Sequence, residues 1–311
     1  MSLKIRRQYF SHLAKKIDCK KINDLMLEIN IPNGLYNNIV HHCKLYISKC
    51  IDQKNIILDE KRLLQNLKNN KKNIKNITPN GMVVPKNEFS LEFNLLVRSY
   101  VDIIKNLNIN NLISNFHFPP NIRVKFSKAD ESNLKRKHPT EDMHSDTWTG
   151  ANPNWVAAHI FLLGDTGNCI RYAYPPNNFK EDWLKPLKSS NLGKAISRNY
   201  NIIKYTPKKS TMILADATII HQSYRNKNAG IRISLDTGFD LKMPKLKSFK
   251  KVFVSNVDVK NTRLKETITN KQFLGISKNS YFHFPDKIGK KVYSKGGFKH
   301  SSNVKVIKLE N

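Results

Sequence analysis

After Pro119 and Pro120 the sequence changes from helical to strand-like periodicity, and this change limits the possible folds more than any other feature. Five short segments rich in β-branched and aromatic residues follow, at 121–127, 155–163, 169–174, 211–215 and 231–236. Turn signals such as Gly164-Asp165 separate most of them. Short strands joined by long connections predict an antiparallel sandwich or barrel.

The chain before this point predicts helices. From Tyr36 to Ile51, apolar residues recur at three- and four-residue spacing, which places them on one face of a helix. Ser90 is placed to cap a second amphipathic helix. We therefore expect a mainly β protein with a helical N-terminal region at 1–118, a β core at 119–241 and a basic extension of unassigned role at 242–311.

The chain is strongly basic, with 54 Lys and Arg residues against 24 Asp and Glu and a net charge of +30. Such an excess is typical of proteins that bind nucleic acid, a lipid surface or an anionic small molecule. Lys, Asn and Ile are abundant together, as in 66–80, and a coding sequence rich in A and T produces the same enrichment. Nucleic acid is therefore an open partner, but one that the charge does not favour over an anionic small molecule.

The apolar segments are too short for a membrane span, because crossing a bilayer takes ~20 consecutive apolar residues. The N-terminus also lacks the apolar stretch and cleavage site of a secretory leader. We therefore expect a cytoplasmic protein. Its four cysteines are expected to be reduced thiols with packing roles.

His144 and Asp146 form the clearest metal-binding pattern. Residues i and i+2 of an extended strand point to the same face, so one strand end would offer an imidazole and a carboxylate. His221 follows 77 residues later, directly after another apolar segment. Two histidines and one carboxylate form the facial triad that binds Fe(II) and leaves coordination positions open. Tetrahedral zinc with a bound water is the competing interpretation.

Arg232 lies 11 residues after His221, in a predicted strand with Ser234 at i+2. Both side chains therefore face the same way. A guanidinium can bind a carboxylate through two hydrogen bonds, and a hydroxyl beside it can donate another. A dicarboxylate could thus reach the metal with its oxo-acid end and Arg232 with its far end. The alternative is a strand arginine that pairs with a surface acid.

Four ordered segments resemble the Fe(II)/2-oxoglutarate-dependent oxygenases: HSDTWTG at 144–150, WVAAHIFLLGD at 155–165, TPKKSTMILADATIIHQS at 206–223 and GIRISLDTGFD at 230–240. The likeness spans the predicted β core. It is greatest to the carbohydrate and aminocyclitol branch related to the streptomycin-biosynthesis oxygenases, and phytanoyl-CoA-type enzymes are more distant. The resemblance implies a double-stranded β-helix core, of jelly-roll or cupin-like form.

The same resemblance implies roles for individual residues. His144, Asp146 and His221 would bind Fe(II), and Arg232 with Ser234 would anchor 2-oxoglutarate. The implied reaction consumes O2 and 2-oxoglutarate, releases succinate and CO2, and hydroxylates an unactivated C–H bond. The expected substrate is a small molecule such as a sugar, an aminocyclitol or a nucleotide-linked sugar.

Five further residues could line the substrate or cosubstrate pocket: Arg123, Trp148, Asn168, Tyr172 and Tyr174. Arg123 lies on the strand that leads to the metal motif, where an arginine paired with an acid is the ordinary alternative. Tyr172 and Tyr174 share one strand face, and Trp148 follows Asp146 closely. Packing roles compete with pocket roles for Trp148, Asn168 and both tyrosines.

Two other functions compete with the small-molecule oxygenase. An oxygenase could act on a protein or nucleic acid that the basic termini recruit. Alternatively, a non-catalytic β-helix could keep the fold and bind a partner through its surface. His159, inside an apolar strand, is expected in the core or lining the barrel. The basic run 135–137 could guide an anionic substrate or belong to a solvated loop.

Overall fold

The structure is a computed structural model. It describes residues 2–241 with gaps, and beyond them 281–283 and 305–307. The gaps fall at 52–54, 72–73, 75–76, 78–79, 84–88, 109–112, 117–119, 128–138, 150–152 and 188. The basic run 135–137 and most of the predicted C-terminal extension therefore lie outside the described residues.

Five α-helices are described: α1 Leu3–Ala14, α2 Asn33–Ile51, α3 Glu60–Asn69, α4 Ser90–Asn106 and α5 Ser190–Ser197. The apolar stripe predicted from residue 36 onward lies on α2. The prediction that Ser90 caps the second helix is wrong, because α4 already includes Ser90 and its N-cap position is Phe89, which makes no side-chain cap bond. In the described part of the chain, none of the helices combines the length and apolarity that a membrane crossing requires.

The strands form one large sheet and two small ones. They are β1 Lys20–Asn23, β2 Met26–Asn30, β3 Ile113–Phe116, β4 Asn121–Lys125, β5 Trp155–Gly164, β6 Asn168–Tyr174, β7 Asn201–Ile202, β8 Thr211–Asp216, β9 Ile220–Arg225, β10 Arg232–Leu241, β11 Tyr281–His283 and β12 Lys305–Ile307. The large sheet has the order β1-β2-β8-β5-β10-β3, and β4 also pairs with β10. The small sheets are β7-β6-β9 and the β11-β12 pair.

The prediction of a mainly β protein with helices is confirmed, and all five predicted strand segments are strands. The N-terminal region is less purely helical than expected, because β2 pairs antiparallel with β8 and extends the large sheet. Four of the five residues of β2 are buried, so this strand lacks the alternation that would have marked it. Every pairing between the described strands of the large sheet is antiparallel.

The large sheet has one face toward the helices and the other toward the interior. On β10, Ile233 and Leu235 belong to the same apolar core as residues of α2 and α4. The intervening Arg232, Ser234 and Asp236 point the opposite way, because strand side chains alternate. A second apolar cluster there joins β8 of the large sheet to β6 of the small sheet. Polar side chains of β10 thus enter the space between two sheets.

Helix α1 is tied to the large sheet by a buried ion pair. Arg6 Nη1 lies 3.1 Å from Asp216 Oδ2, at the end of β8, and the two side chains are almost fully buried. Arg6 Nη2 also donates to the carbonyl of Pro153 at 2.7 Å. These contacts connect α1 to the ends of two strands that form the walls of the interior.

Candidate metal centre

His144 and His221 lie side by side because a short antiparallel bridge joins their backbones. The amide of His144 donates to the carbonyl of His221 at 2.9 Å, and the reciprocal bond is 2.8 Å. Their ring centroids are 4.5 Å apart. One ligand atom from each of His144, Asp146 and His221 lies within 4.8 Å of the other two. The structure therefore brings together three side chains that could hold a metal ion.

Asp146 reaches this cluster from a 3₁₀ turn, Asp146–Thr149, and not from the extended strand that its spacing predicts. The hydroxyl of Ser145 donates to the carbonyl of Ala217 at 2.9 Å and accepts from the amide of Thr147 at 3.3 Å. Such local bonds compete with strand pairing and start a turn. The turn places Asp146 Oδ1 3.8 Å from His221 Nε2.

A backbone carbonyl orients the first imidazole. His144 Nδ1 lies 2.8 Å from the carbonyl oxygen of Asp142. Because a carbonyl oxygen can only accept, Nδ1 must carry the hydrogen that it donates. The other ring nitrogen, Nε2, then carries the free lone pair. Histidines that bind metals usually make this kind of hydrogen bond, which fixes both tautomer and ring orientation.

Burial sets the protonation state of the cluster. It is the largest cause that lowers the pKa of both His144 and His221 to about 4. Burial raises the pKa of Asp146, but the nearby His221 and His144 more than offset this, so the pKa is lowered overall. At neutral pH the cluster therefore presents two neutral imidazoles and one carboxylate, the forms that bind metal ions.

Arg232 lies on the interior face of β10, with a residue exposure of only 1%. None of its three guanidinium nitrogens has a hydrogen-bond partner among the residues that the structure describes. Burial lowers the pKa of Arg232, and the charge of Asp236 opposes that effect. A buried cation without hydrogen bonds is costly, so an anion that enters this space would be bound strongly.

Ser234 lies next to Arg232 on the same face, but its hydroxyl is already engaged. Ser234 Oγ donates to Asp236 Oδ1 at 2.9 Å. Arg123, which stands opposite Ser234 in the sheet, pairs with the same carboxylate through Nε at 2.5 Å and donates to the carbonyl of Asn80. Arg123 is thus a paired strand arginine, and the pair lies within the interior.

The four remaining predicted residues occupy different environments. Tyr172 is buried, its hydroxyl lies 3.0 Å from His159 Nδ1, and its ring centroid is 6.4 Å from that of His221. Tyr174 points to the N-terminal region instead: its hydroxyl donates to Asp24 at 2.6 Å and accepts from Arg7. Tyr172 therefore lies beside the His221 side chain of the metal cluster, whereas the Tyr174 hydroxyl is hydrogen-bonded to the N-terminal region.

Trp148 and Asn168 are buried and bonded to backbone carbonyls. Trp148 Nε1 donates to the carbonyl of Trp183 at 2.6 Å, and its ring packs in an apolar cluster with Ile220 of β9. Asn168 Nδ2 donates to the carbonyls of Lys125 and Gly230 at 2.8 and 3.0 Å. These bonds connect both side chains to the backbone around the site.

Two polar residues near the cluster, His159 and Asp236, are not among the site residues predicted from the sequence. His159 is buried, and its ring centroid lies 5.2 Å from that of His221. Asp236 lies opposite His159 in the sheet and binds Arg123 and Ser234. The available signal for Asp236 was its position at i+4 from Arg232, which continues the alternation that places Arg232 and Ser234 on one face.

No family model matches the chain, and no curated protein matches it. Several solved structures do resemble it. They include SnoK, described as a non-haem α-ketoglutarate-dependent carbocyclase from nogalamycin biosynthesis, with 11% identity, a TM-score of 0.39 and coverage of 78% of this chain and 84% of SnoK.

Two further structures have comparable similarity. EctD from S. alaskensis, solved with 2-oxoglutarate and 5-hydroxyectoine, has 12% identity and a TM-score of 0.37, with coverage of 77% of this chain and 76% of EctD. HygX from Streptomyces hygroscopicus, solved with nickel and 2-oxoglutarate, has 8% identity and a TM-score of 0.36, with coverage of 81% of this chain and 93% of HygX.

Proposed function

We propose that this chain is a non-haem Fe(II)/2-oxoglutarate-dependent oxygenase with a double-stranded β-helix core. The observation that carries the proposal is the buried guanidinium of Arg232, which has no hydrogen-bond partner among the described residues. Arg232 shares its face of β10 with Asp236, whose charge acts on His221, one of three side chains that can hold a metal ion. A simple structural zinc site would not require a second, cationic binding position for a carboxylate.

The residues present fit both groups. His144, Asp146 and His221 would hold Fe(II) from one side and leave positions open for the cosubstrate and O2. Arg232 would bind the distal carboxylate of 2-oxoglutarate through paired hydrogen bonds. When bound, iron and cosubstrate together supply the O2-dependent oxidation of a C–H bond, with 2-oxoglutarate converted to succinate and CO2.

The protein itself would position the metal and the cosubstrate, supply a positive charge and exclude water from the site. Neutral imidazoles bind the metal without first losing a proton, because burial has already lowered their pKa. The burial of Arg232 and Tyr172 keeps water from the inner end of the site, which strengthens the bond between guanidinium and carboxylate. Because Ser234 is bonded to Asp236, we assign the main part of cosubstrate anchoring to Arg232.

We propose a small molecule as the substrate, of the class of sugars, aminocyclitols and nucleotide-linked sugars. The support for this class is the sequence resemblance, and the net charge of +30 suits a phosphorylated member of it. The second candidate is an oxygenase that acts on a protein or nucleic acid. The same basic excess favours it, and steep loss of DNA or heparin binding with added salt would support it.

Anaerobic titration with Fe(II) and 2-oxoglutarate tests the proposal. We expect a weak visible metal-to-ligand charge-transfer band in the wild type and its loss in His221→Ala, together with loss of bound iron. His41→Ala is the matched control, because His41 is an exposed histidine on α2, away from the cluster. Absence of the band in the wild type, with iron content unchanged in His221→Ala, would contradict the oxygenase and favour a binding module.

A further inference from the structure

Lys125 is a buried lysine on the interior face of β4, with a residue exposure of 1%. It stands directly opposite Arg232 in the antiparallel pair of β4 and β10. Its ammonium donates to Thr140 Oγ1 at 2.5 Å and to Glu141 Oε1 at 3.0 Å. Burial lowers the pKa of Lys125 to about 7, and the contact with Glu141 opposes that effect. Lysine is rarely buried to this extent unless it is paired.

These two bonds hold the segment that leads into the metal site. The chain leaves β4 after Lys125 and returns at Thr140 and Glu141, three to four residues before His144. The metal-binding residues of this segment have little sheet structure of their own, because His144 forms one isolated bridge and Asp146 begins a turn. Their position therefore depends on how the segment before them is fixed.

The same segment is bound from the other side by β9, the strand that carries His221. The amide of Ser223 donates to the carbonyl of Thr140 at 2.7 Å. Arg225 Nη2 lies 3.4 Å from the Glu141 oxygen that accepts from Lys125. Thr140 and Glu141 thus join β4 to β9, with Lys125 at the β4 end and Arg225 at the β9 end of that connection.

We propose that Lys125 is a positioning residue for the metal centre, which places His144 and Asp146 at the correct distance from His221. This inference rests on the proposed metal site and adds a residue that the facial triad does not include. Lys125 acts through Thr140 and Glu141. Groups bonded directly to metal ligands typically change metal affinity by about 10- to 100-fold when they are removed, and Lys125, one contact further away, should lie at the lower end of this range.

Cobalt(II) binding to the full chain tests the inference, since Co(II) is stable in air and its visible spectrum reports ligand geometry. We expect Lys125→Met to weaken Co(II) binding by about 10-fold or more and to change the Co(II) spectrum. Lys125→Arg keeps the positive charge and should recover most of the affinity. A merely structural lysine would alter the melting temperature but not the spectrum of the bound metal.

Lys194→Met is the matched control. Lys194 Nζ lies 3.0 Å from Asp142 Oδ2, so it contacts the same segment, but 52% of its side chain is exposed. An exposed ion pair contributes little to stability, so Co(II) affinity should stay close to that of the wild type. Equal weakening by the Lys194 and Lys125 substitutions would contradict a specific role for Lys125.

The outcomes separate this inference from the proposed function. If the wild type binds Co(II) and Lys125→Met binds it equally well with the same spectrum, only the positioning role is wrong. If the wild type does not bind Co(II), the metal centre itself is wrong and the positioning role falls with it. Should Lys125→Met fail to fold, Thr140→Val decides, because it removes one of the two bonds. Unchanged affinity and spectrum in that variant would overturn the inference.

Discussion

Arg232 combines two properties that a stable core does not need: a charge that is almost fully buried and three nitrogens without hydrogen bonds among the described residues. Such a group costs free energy in the protein without a ligand, because burial removes its hydration. Under the proposed function, a bound carboxylate would offset this cost. Stability and cosubstrate binding should therefore change in opposite directions when the charge is removed.

Arg232→Met tests this relation. We expect 2-oxoglutarate affinity to fall by about 1.5–3 kcal/mol, the contribution of hydrogen bonds to a charged group. Fe(II) should still bind, and the protein without ligands should be at least as stable as the wild type. Anaerobic titration and thermal melting measure the two effects. Arg171→Met, which removes a guanidinium that stacks on Tyr224, is the control, and equal loss of iron in Arg232→Met would contradict the assigned role.

The two metal-site histidines predict a pH dependence of the metal-free protein. Their pKa is about 4 in the folded state against 6.5 for an ordinary histidine. Between these values the unfolded chain takes up protons that the folded chain does not, so the free energy of unfolding decreases as the pH falls. Urea denaturation at pH 7 and pH 5 should show the decrease. Replacing both residues by Gln should flatten the profile, and an unchanged profile would contradict their burial in the neutral form.

At the scale of elements, β10 organises the site because its two faces have different partners. One face joins the apolar core under the helices, and the other carries Arg232, Ser234 and Asp236 into the interior. β10 also pairs with β5 along most of its length and with β4 beside the site. Distortion of this strand should therefore affect stability and cosubstrate binding together.

Gly238 is the position on β10 where a small change should distort the strand. A Cβ atom there would lie 2.0 Å from Trp155 Cε2, and Trp155 is buried. We expect Gly238→Ala to lower the free energy of unfolding by about 1–3 kcal/mol through overpacking. Gly34→Ala is the control, since nothing lies within 4 Å of its Cβ position on α2. Denaturant melts measure both, and equal stability of the two variants would contradict the tight contact.

At the scale of the whole molecule, a net charge of +30 means that like charges repel across the surface. Salt screens this repulsion, so raising NaCl from about 20 to about 200 mM should raise the melting temperature. Choline chloride at equal ionic strength should have the same effect, which separates screening from sodium binding. A fall in melting temperature would instead mean that surface ion pairs, such as Lys185 with Asp182, outweigh the repulsion.

The sequence by itself determined the mainly β fold, the strands of the core and the three side chains that the structure brings together as a possible metal site. The fold class and the strands depend on local alternation, which is a property of neighbouring residues. The three metal-site candidates were identified by residue type and order instead, because Asp146 lies on a turn and His221 is distant in sequence from His144. Strand β2 was not predicted because it is buried on both faces and pairs with a strand that is distant in the sequence. Local sequence does not specify such a partner.

Only the tertiary structure shows which buried polar side chains have hydrogen-bond or ion-pair partners. Arg123 and Arg232 both lie on strands near the metal motif, yet Asp236 forms an ion pair with Arg123, while Arg232 has no hydrogen bond to any residue that the structure describes. The role proposed for Lys125 likewise could be inferred only from its contacts with Thr140 and Glu141. Burial and pairing depend on elements that are distant in sequence, and for this reason spacing located the candidate site but could not show how it is held.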